Sequence, residues 1–517
     1  MTARFFNTAG PCRPEDHYML PPMARLPEVY GLIEKKGYFV LHAPRQTGKT
    51  TAMLALAREL TDSGRYAAAV LSVEVGSAFN DDPEAAERAI LAVWRDSTRW
   101  QLPPELAPPD WPASEPGQRI HAALSAWSRV APRPLVLFLD EIDSLQDQTL
   151  ISVLRQLRDG YSSRPQGFPS SVALMGLRDV RDYKVASGGS DRLRTASPFN
   201  VKVRSLTLRD FDAAEVAALY RQHTDETGQP FTPEATGRAF YLTQGQPWLV
   251  NALASVIVEE LLPNSTTPVT AEHVEQARRV LVARQDTHLD SLAERLREPR
   301  VRQIIEPMLA GGATGEVSPD DRQYLLDLGL VRQDAVRGLV IANPIYREVV
   351  PSVLASGPLY TLPQLKPIWL RPDGSFDAEA LLQAFLAFWR QHGQPLLGSA
   401  PYHEIAPHLV LMAFLHRVAN AGGSLEREYA IGSGRMDLCL RYGPETVAIE
   451  LKVWRDGERD PLAAGLEQLD EYLSGLGLDT GWLVIFDRRA GLPPISERTS
   501  AAPGTTPAGR TVAVIRA

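Results

Sequence analysis

Cysteine is nearly absent from the 517 residues: Cys12 and Cys439 stand far apart and in no CxxC or Cys/His spacing. A disulfide framework and a structural zinc site are both unsupported, and a reducing cytoplasm suits the chain best. Lysine is also scarce. Of the 54 basic residues, 47 are arginine and only seven are lysine: Lys35, Lys36, Lys49, Lys184, Lys202, Lys366 and Lys452. An excess of positive charge is missing as well, since 62 acidic residues leave a formal net charge of −8. That excludes a polybasic protein that holds nucleic acid by bulk charge, so any such contact must be local. No run approaches the roughly 18 apolar residues that cross a bilayer, and MTARFFNTAGPCRPEDHY at the N-terminus has no apolar core for a signal peptide. A soluble chain with no membrane partner is expected. No repeat with the period of a solenoid or propeller is visible either.

What is present is ordinary globular composition, 44% hydrophobic and 22% charged, at a length that implies about three or four domains. Apolar runs at 37–42, 68–75, 135–139 and 172–177 predict strands, with helices between them at 84–95 and 118–130. Strands alternating with helices argue for a parallel sheet. After about residue 205 helices dominate (210–226, 232–243, 247–262, 270–288 and 289–297), which predicts a helical lid. Over 299–350, two helices lead into two short strands around a Gly-containing turn, the outline of a winged helix. Residues 356–372 are Pro-rich and read as a linker, and the stretch beyond Pro493 reads as a poorly ordered tail before a last strand, RTVAVIRA.

The first strand runs into Ala43-Pro44-Arg45-Gln46-Thr47-Gly48-Lys49-Thr50, with Thr51 next to it and a helical pattern following. This matches the phosphate-loop pattern except that Ala43 replaces the first Gly. Backbone N–H groups at a helix N-terminus bind phosphate oxygens, the Lys meets the β- and γ-phosphate charge, and the Thr hydroxyl ligates Mg²⁺. Ninety residues after Thr50, the run LVLFL ends in Asp140-Glu141. An apolar strand ending in two carboxylates suits a Mg²⁺–ATP site, with Asp140 on the metal's water shell and Glu141 polarising the attacking water.

Together these residues resemble the AAA-like side of the phosphate-loop ATPases, specifically the STAND class of signal-transduction ATPases and the related archaeal-type ATPases, over about residues 5 to 350. The resemblance implies that Arg178, after the fourth strand, senses the γ-phosphate. It also implies that Gly245-Gln246-Pro247 is the GxP signature of the lid, with Pro247 on the nucleotide base. From Arg178 to Arg204, seven basic residues face three acidic ones around Gly188-Gly189; this segment could serve a neighbouring protomer's nucleotide, touch nucleic acid, or be a solvated loop.

Near the C-terminus two strand-like runs, 435–442 and 446–454, flank a Gly443-Pro444 turn. Alternation puts Ala448, Glu450, Lys452 and Trp454 on one face and Ile449, Leu451 and Val453 on the other. The order Asp437, twelve residues, then Glu450-Leu451-Lys452 resembles the core of the PD-(D/E)XK nucleases, over about residues 400 to 490. The resemblance implies that Asp437 and Glu450 chelate Mg²⁺ with the Leu451 carbonyl, while Lys452 handles the attacking water and the developing phosphodiester charge. It implies a further metal acid at Glu404, and a QxxxY pair of Gln468 and Tyr472, four apart on a helix over 460–475. Met436 stands where the family has Pro. His403, His408 and His416 form no ligand pattern. Residues 404–517 carry 12 basic and 15 acidic side chains, so charge gives the nuclease reading no support.

The expected fold is α/β and multidomain: a phosphate-loop NTPase sheet (1–205), a helical lid (206–298), a winged helix (299–355), a linker with a helix (356–400), a restriction-endonuclease-like α/β domain (401–490) and a tail (491–517). The expected function is an ATPase that regulates a Mg²⁺-dependent DNA nuclease, with ATP and Mg²⁺ as cofactors and DNA as partner. Homo-oligomerisation on activation and a protein trigger are further expectations, with a role in defence or DNA processing. Two alternatives stand beside it: a DNA-processing or transposition-type ATPase with an inactive C-terminal binding module, and a slow ATP switch carrying a scaffold.

Overall fold

The computed structural model describes residues 4–177, 201–284, 295–296, 298–309, 317–334, 338–350, 368–399, 406–419, 423–431 and 434–517. They form two compact units, Met1–Arg284 with Ser318–Pro344, and Gln285–Val317 with Ile345–Ala517.

The first unit is organised by β1 (Tyr38–His42), β2 (Ala67–Ser72), β3 (Leu135–Asp140), β4 (Ser171–Gly176) and β5 (Lys202–Thr207), which pair in the order β2-β3-β4-β1-β5. Every pairing is parallel. The strands β1 to β4 are continuous apolar runs because a parallel sheet is covered on both faces. Alternation then divides them between two cores. Tyr38, Val40, Leu135, Leu137 and Leu139 pack with Trp94 and Trp127 of α3 (Pro83–Gln101) and α4 (Arg119–Val130). Phe39, Leu41, Val136 and Phe138 pack with Met53 and Leu56 of α2 (Lys49–Asp62) and with α1 (Glu28–Glu34). α5 (Asp147–Asp159) covers the first of these faces through Val153 and Leu157.

A strand the sequence did not show, β5, closes the sheet, and half of the residues in its KVRSLT are exposed. Its pairing with β1 decides its conformation, and Lys202 and Arg204 give the sheet a charged edge. The lid helices follow as α6 (Ala213–Thr227), α7 (Pro233–Thr243), α8 (Pro247–Ser255) and α9 (Ala271–Arg284), with α8 running on into a π-helical turn, Val256–Leu261. α6 begins with a capping box between Asp212 and Glu215. At the start of α8, Gln246 accepts from the Leu249 N–H at 2.6 Å and Pro247 occupies the first turn. Of the residues expected to form a winged helix, α11 (Pro319–Asp327) and the hairpin β6 (Val331–Asp334)–β7 (Gly338–Ile341) belong to the first unit, and α10 (Pro299–Leu309) to the second.

The second unit holds a six-stranded sheet, β12-β13-β11-β10-β9-β8, from β8 (Gly423–Ile431), β9 (Gly434–Tyr442), β10 (Glu445–Trp454), β11 (Gly481–Asp487), β12 (Ser500–Thr505) and β13 (Thr511–Arg516). β10 pairs with β11 in parallel, through a crossover that contains α14 (Leu462–Leu476), and with β9 antiparallel. α14 covers one face, where Leu469, Tyr472 and Leu473 meet Cys439, Ala448 and Leu483. α12 (Ala378–Ser399) and α13 (Ala406–Ala419) cover the other, where Phe385, Trp389 and Phe414 meet Ile449, Leu451 and Val484. The helix expected within a linker is thus part of this core. The expected last strand is present as β13, and what precedes it differs from the poorly ordered tail expected: a short turn of helix leads into β12, and the two strands complete the sheet. Pro503 is tolerated in β12 because that strand is an edge. Among the described residues no helix is long and apolar enough to cross a membrane.

Gly245 is the tightest point of the lid. Its φ is +80°, and a Cβ there would stand 1.8 Å from the Phe211 carbonyl oxygen, while its own carbonyl accepts from the Phe211 N–H at 2.9 Å. Gly245→Ala is therefore expected to cost about 3 kcal/mol from combined backbone strain and overpacking, seen as a lowered midpoint in urea unfolding.

Candidate functional sites

The loop after β1 delivers its residues to the C-terminal edge of the sheet, where open α/β sheets place their ligands. Gln46 and Gly48 both take positive φ, +60° and +92°, which turns the chain back before α2 begins at Lys49. The Lys49 ammonium folds over the loop and donates to the carbonyls of Ala43 and Pro44 at 2.8 and 2.9 Å. The Thr47 hydroxyl donates to the same Pro44 carbonyl at 3.0 Å. Arg45 and Gln46 are exposed on the outside of the turn. The Thr50 hydroxyl donates to Asp140 Oδ2 at 2.7 Å, joining residues 90 apart in the chain. That pairing sets a hydroxyl and a carboxylate side by side, two hard oxygen donors of the kind Mg²⁺ takes. Asp140 is buried, and its Oδ1 accepts from the Glu141 N–H at 2.9 Å.

Charge balance around Lys49 shapes the rest of the site. Desolvation holds its ammonium below the ordinary lysine range, opposed by Asp143, Glu141 and Asp140. Glu141 sits at the mouth of the site in a left-handed conformation, φ +59°. Its carboxyl is pushed up by desolvation, then by the negative charge of Asp143 and Asp140, with Lys49 acting the other way. Asp143 is a functional candidate that the sequence reading passed over. It is the third carboxylate of Asp140-Glu141-Ile142-Asp143, and its Oδ1 accepts from the Leu177 N–H at 3.2 Å, tying this cluster to the end of β4. Arg178, the expected sensor, lies outside the described residues.

Arg25 is a second unforeseen neighbour, with no signal in its local sequence. Its guanidinium donates to the Thr47 carbonyl at 3.2 Å and the Arg209 carbonyl at 2.9 Å, and lies 4.7 Å from the centre of the Phe211 ring. Burial lowers it to about 10. Beside it opens a pocket of about 130 Å³, floored by Gln46, Thr47, Gly48 and Thr51 and walled by the lid residues Pro247 and Trp248. The N-terminal segment forms the remaining wall. It is fastened by Cys12 N–H to Thr51 Oγ1 at 3.1 Å, Trp248 Nε1 to the Thr8 carbonyl at 2.8 Å, and Arg4 to Glu226 at 2.8 Å. The structure thus brings Pro247 to the phosphate loop.

In the second unit, Glu450 and Lys452 share the β10 face that α14 covers. Lys452 Nζ donates to Glu450 Oε1 at 2.6 Å, and Glu450 is buried. A buried carboxylate beside a lysine two residues on differs from an exposed edge-strand ion pair: its burial penalty is large and must be met locally. Leu438 of β9 pairs with Ile449 of β10, so Asp437 stands one residue beyond that pair on β9 and Glu450 one beyond it on β10. The Asp437 side chain and all of Glu404 lie outside the described residues. Tyr472 is buried against the sheet, whereas Gln468, four residues earlier on α14, is exposed. Among the described residues no group of three or more His, Cys, Asp or Glu side chains is arranged to hold a metal ion.

A parallel sheet with the loop after its first strand and paired carboxylates after its third defines a phosphate-loop NTPase. Residues 39–176 match the AAA family, the "ATPase family associated with various cellular activities", so the first unit carries an AAA-type ATPase domain. Similar solved structures include the Walker-type ATPase PABY2304 of Pyrococcus abyssi, at 13% identity and TM-score 0.48, covering 66% of this chain and 98% of that one. They also include the Aeropyrum pernix ORC2 protein in ADPNP–ADP complexes, at 15% identity and TM-score 0.42, covering 66% and 96%. The Aeropyrum pernix ORC1 protein in complex with DNA is similar at 14% identity and TM-score 0.35, covering 66% and 94%. No curated protein matches the chain.

Because Glu141 must be ionised to accept a proton, hydrolysis that depends on it falls off on the acid side through a pKa above the ordinary 4.5. Asp143→Asn keeps an acceptor for Leu177 and removes a negative charge that favours the protonated form. The acid limb of the pH–rate profile of ATP hydrolysis is then expected to move to lower pH.

Proposed function

We propose that the chain is an ATP-controlled nuclease of the STAND type, in which the AAA-type ATPase unit governs a Mg²⁺-dependent PD-(D/E)XK-like unit that cuts DNA. The observation that carries the nuclease half is the buried Glu450 held at 2.6 Å by Lys452 on the strand next to Asp437. A fold stabilised only by apolar contact gains nothing from a desolvated ion pair in that position, whereas metal-assisted phosphodiester cleavage needs a carboxylate and a compact ammonium side by side.

In the first unit, the backbone of Pro44–Gly48 and the Lys49 ammonium hold the β- and γ-phosphates, and Thr50 with Asp140 positions Mg²⁺. Glu141 takes the proton of the attacking water, and Arg178 and Pro247 contact the γ-phosphate and the base. Magnesium supplies charge neutralisation between the phosphates. In the second unit, Asp437 and Glu450, with Glu404 and the Leu451 carbonyl, form the metal-binding set. Lys452 orients the water and faces the charge that builds on the phosphate, and Gln468 and Tyr472 complete the motif. The helix–hairpin of residues 319–341 is the wing and a place for DNA contact, which the −8 chain must make locally. Oligomerisation on activation, a protein trigger and a cytoplasmic setting belong to the same reading.

Purified protein incubated with plasmid and linear DNA, with and without ATP and Mg²⁺ or Mn²⁺, tests it. Lys452→Ala is expected to abolish cutting while ATP binding stays at the wild-type level, and Lys49→Ala to abolish nucleotide binding. Cutting by the Lys452 variant at the wild-type rate would overturn the nuclease assignment. DNA-stimulated ATP turnover without metal-dependent cutting would favour a DNA-processing ATPase with a binding module at its C-terminus.

A further inference from the structure

Among the described residues that line the pocket beside the phosphate loop, one buried side-chain polar atom has no hydrogen-bond partner. Asn251 lines it from α8 and is only 7% exposed. Its Nδ2 donates to the Pro247 carbonyl at 2.8 Å. Because that carbonyl can only accept, the contact fixes which end of the amide is nitrogen and which is oxygen. The other end, Oδ1, is buried and receives no hydrogen bond among the described residues. Neighbouring acceptors are already taken: the Thr8 carbonyl by Trp248 Nε1, the Met19 carbonyl by Gln222 Nε2 and Asn7 Oδ1 by the Ala9 N–H.

A buried acceptor without a donor costs stability unless a ligand supplies one. The walls around it, Tyr18, Leu219, Pro247 and Trp248, are apolar or aromatic, and suit the flat faces of a heteroaromatic base. Resting on the reading of the loop as a nucleotide site, we propose that Asn251 is the base-selecting residue: its Oδ1 accepts a hydrogen bond from the exocyclic 6-amino group of adenine. Hypoxanthine and guanine carry a carbonyl at that position, which would oppose one acceptor to another and leave both desolvated. A site that hydrogen-bonds a ligand N–H rejects the analogue that lacks it because its own buried group is then unpaired.

The test is equilibrium binding, by calorimetry on the full chain with Mg²⁺, of ATP, of purine riboside triphosphate, which lacks only the amino group, and of inosine triphosphate. The wild type is expected to bind ATP about tenfold more tightly than either analogue, the worth of one buried hydrogen bond. Asn251→Ala is expected to bring all three within about twofold of one another while triphosphate binding persists through the loop. Equal binding of ATP and purine riboside triphosphate by the wild type would overturn the proposal, as would an unchanged ratio in the variant. If the variant does not fold, the wild-type series decides alone. Failure of the wild type to bind any of the three would instead overturn the reading of the loop as a nucleotide site.

Discussion

The hydrogen bond from Thr50 to Asp140 is the contact on which the nucleotide site depends, because it joins the first turn of α2 to the end of β3, two elements that do not follow one another in the chain. It can form only when β1 and β3 lie in one parallel sheet with β4 between them and their ends level, which the register of β4 against both strands ensures. Both cores serve that register. Alternate residues of the same strands lock into helices on opposite faces, so a slip of one residue would exchange the two sets of apolar side chains. The same alignment leaves Lys49 among the acidic residues that follow β3, an enclosed cation whose burial is tolerated because Asp143, Glu141 and Asp140 stand close by.

Much of this was legible in the sequence, for a physical reason. Parallel strands covered on both faces must be apolar on both sides, so β1 to β4 stand out as short apolar runs, β2 included although it is an edge, and the phosphate loop is a contiguous string. Other elements gave no local sign. The edge strands β5 and β12 are polar or mostly exposed, and β12 even contains Pro503; their conformation is decided by a partner strand far away in the chain. Arg25 reaches the loop only through tertiary folding, and the N-terminal wall of the pocket is likewise invisible until α6 and α8 are in place. Asp143 was readable in the run Asp140-Glu141-Ile142-Asp143 and needed only the question of which carboxylates share one cation. Spacing alone does not give burial, as Gln468 and Tyr472 show. Residues four apart lie on the same side of a helix, but that side is wide enough for one to be buried and the other exposed.

The scarcity of lysine links the two candidate sites. With arginine filling 47 of 54 basic positions, most surface ion pairs among the described residues, such as Arg4–Glu226 and Arg209–Glu215, are made by guanidinium groups. Two of the seven lysines stand at the candidate sites, where a compact ammonium on a flexible stem suits the contacts: Lys49 folded over the phosphate loop and Lys452 against a buried carboxylate. In the first unit the ammonium stands near the carboxylates at and after the end of β3, and in the second it is paired with one carboxylate within β10.

The central claim is that the nucleotide site controls the second site. The most direct measurement is the rate of DNA cutting across a titration of ATP at fixed Mg²⁺, for the wild type and for Lys49→Ala side by side. The account predicts that wild-type cutting follows occupancy of the nucleotide site, and that the variant's rate does not respond to ATP at any concentration. Equal cutting by both proteins at every ATP concentration would contradict it.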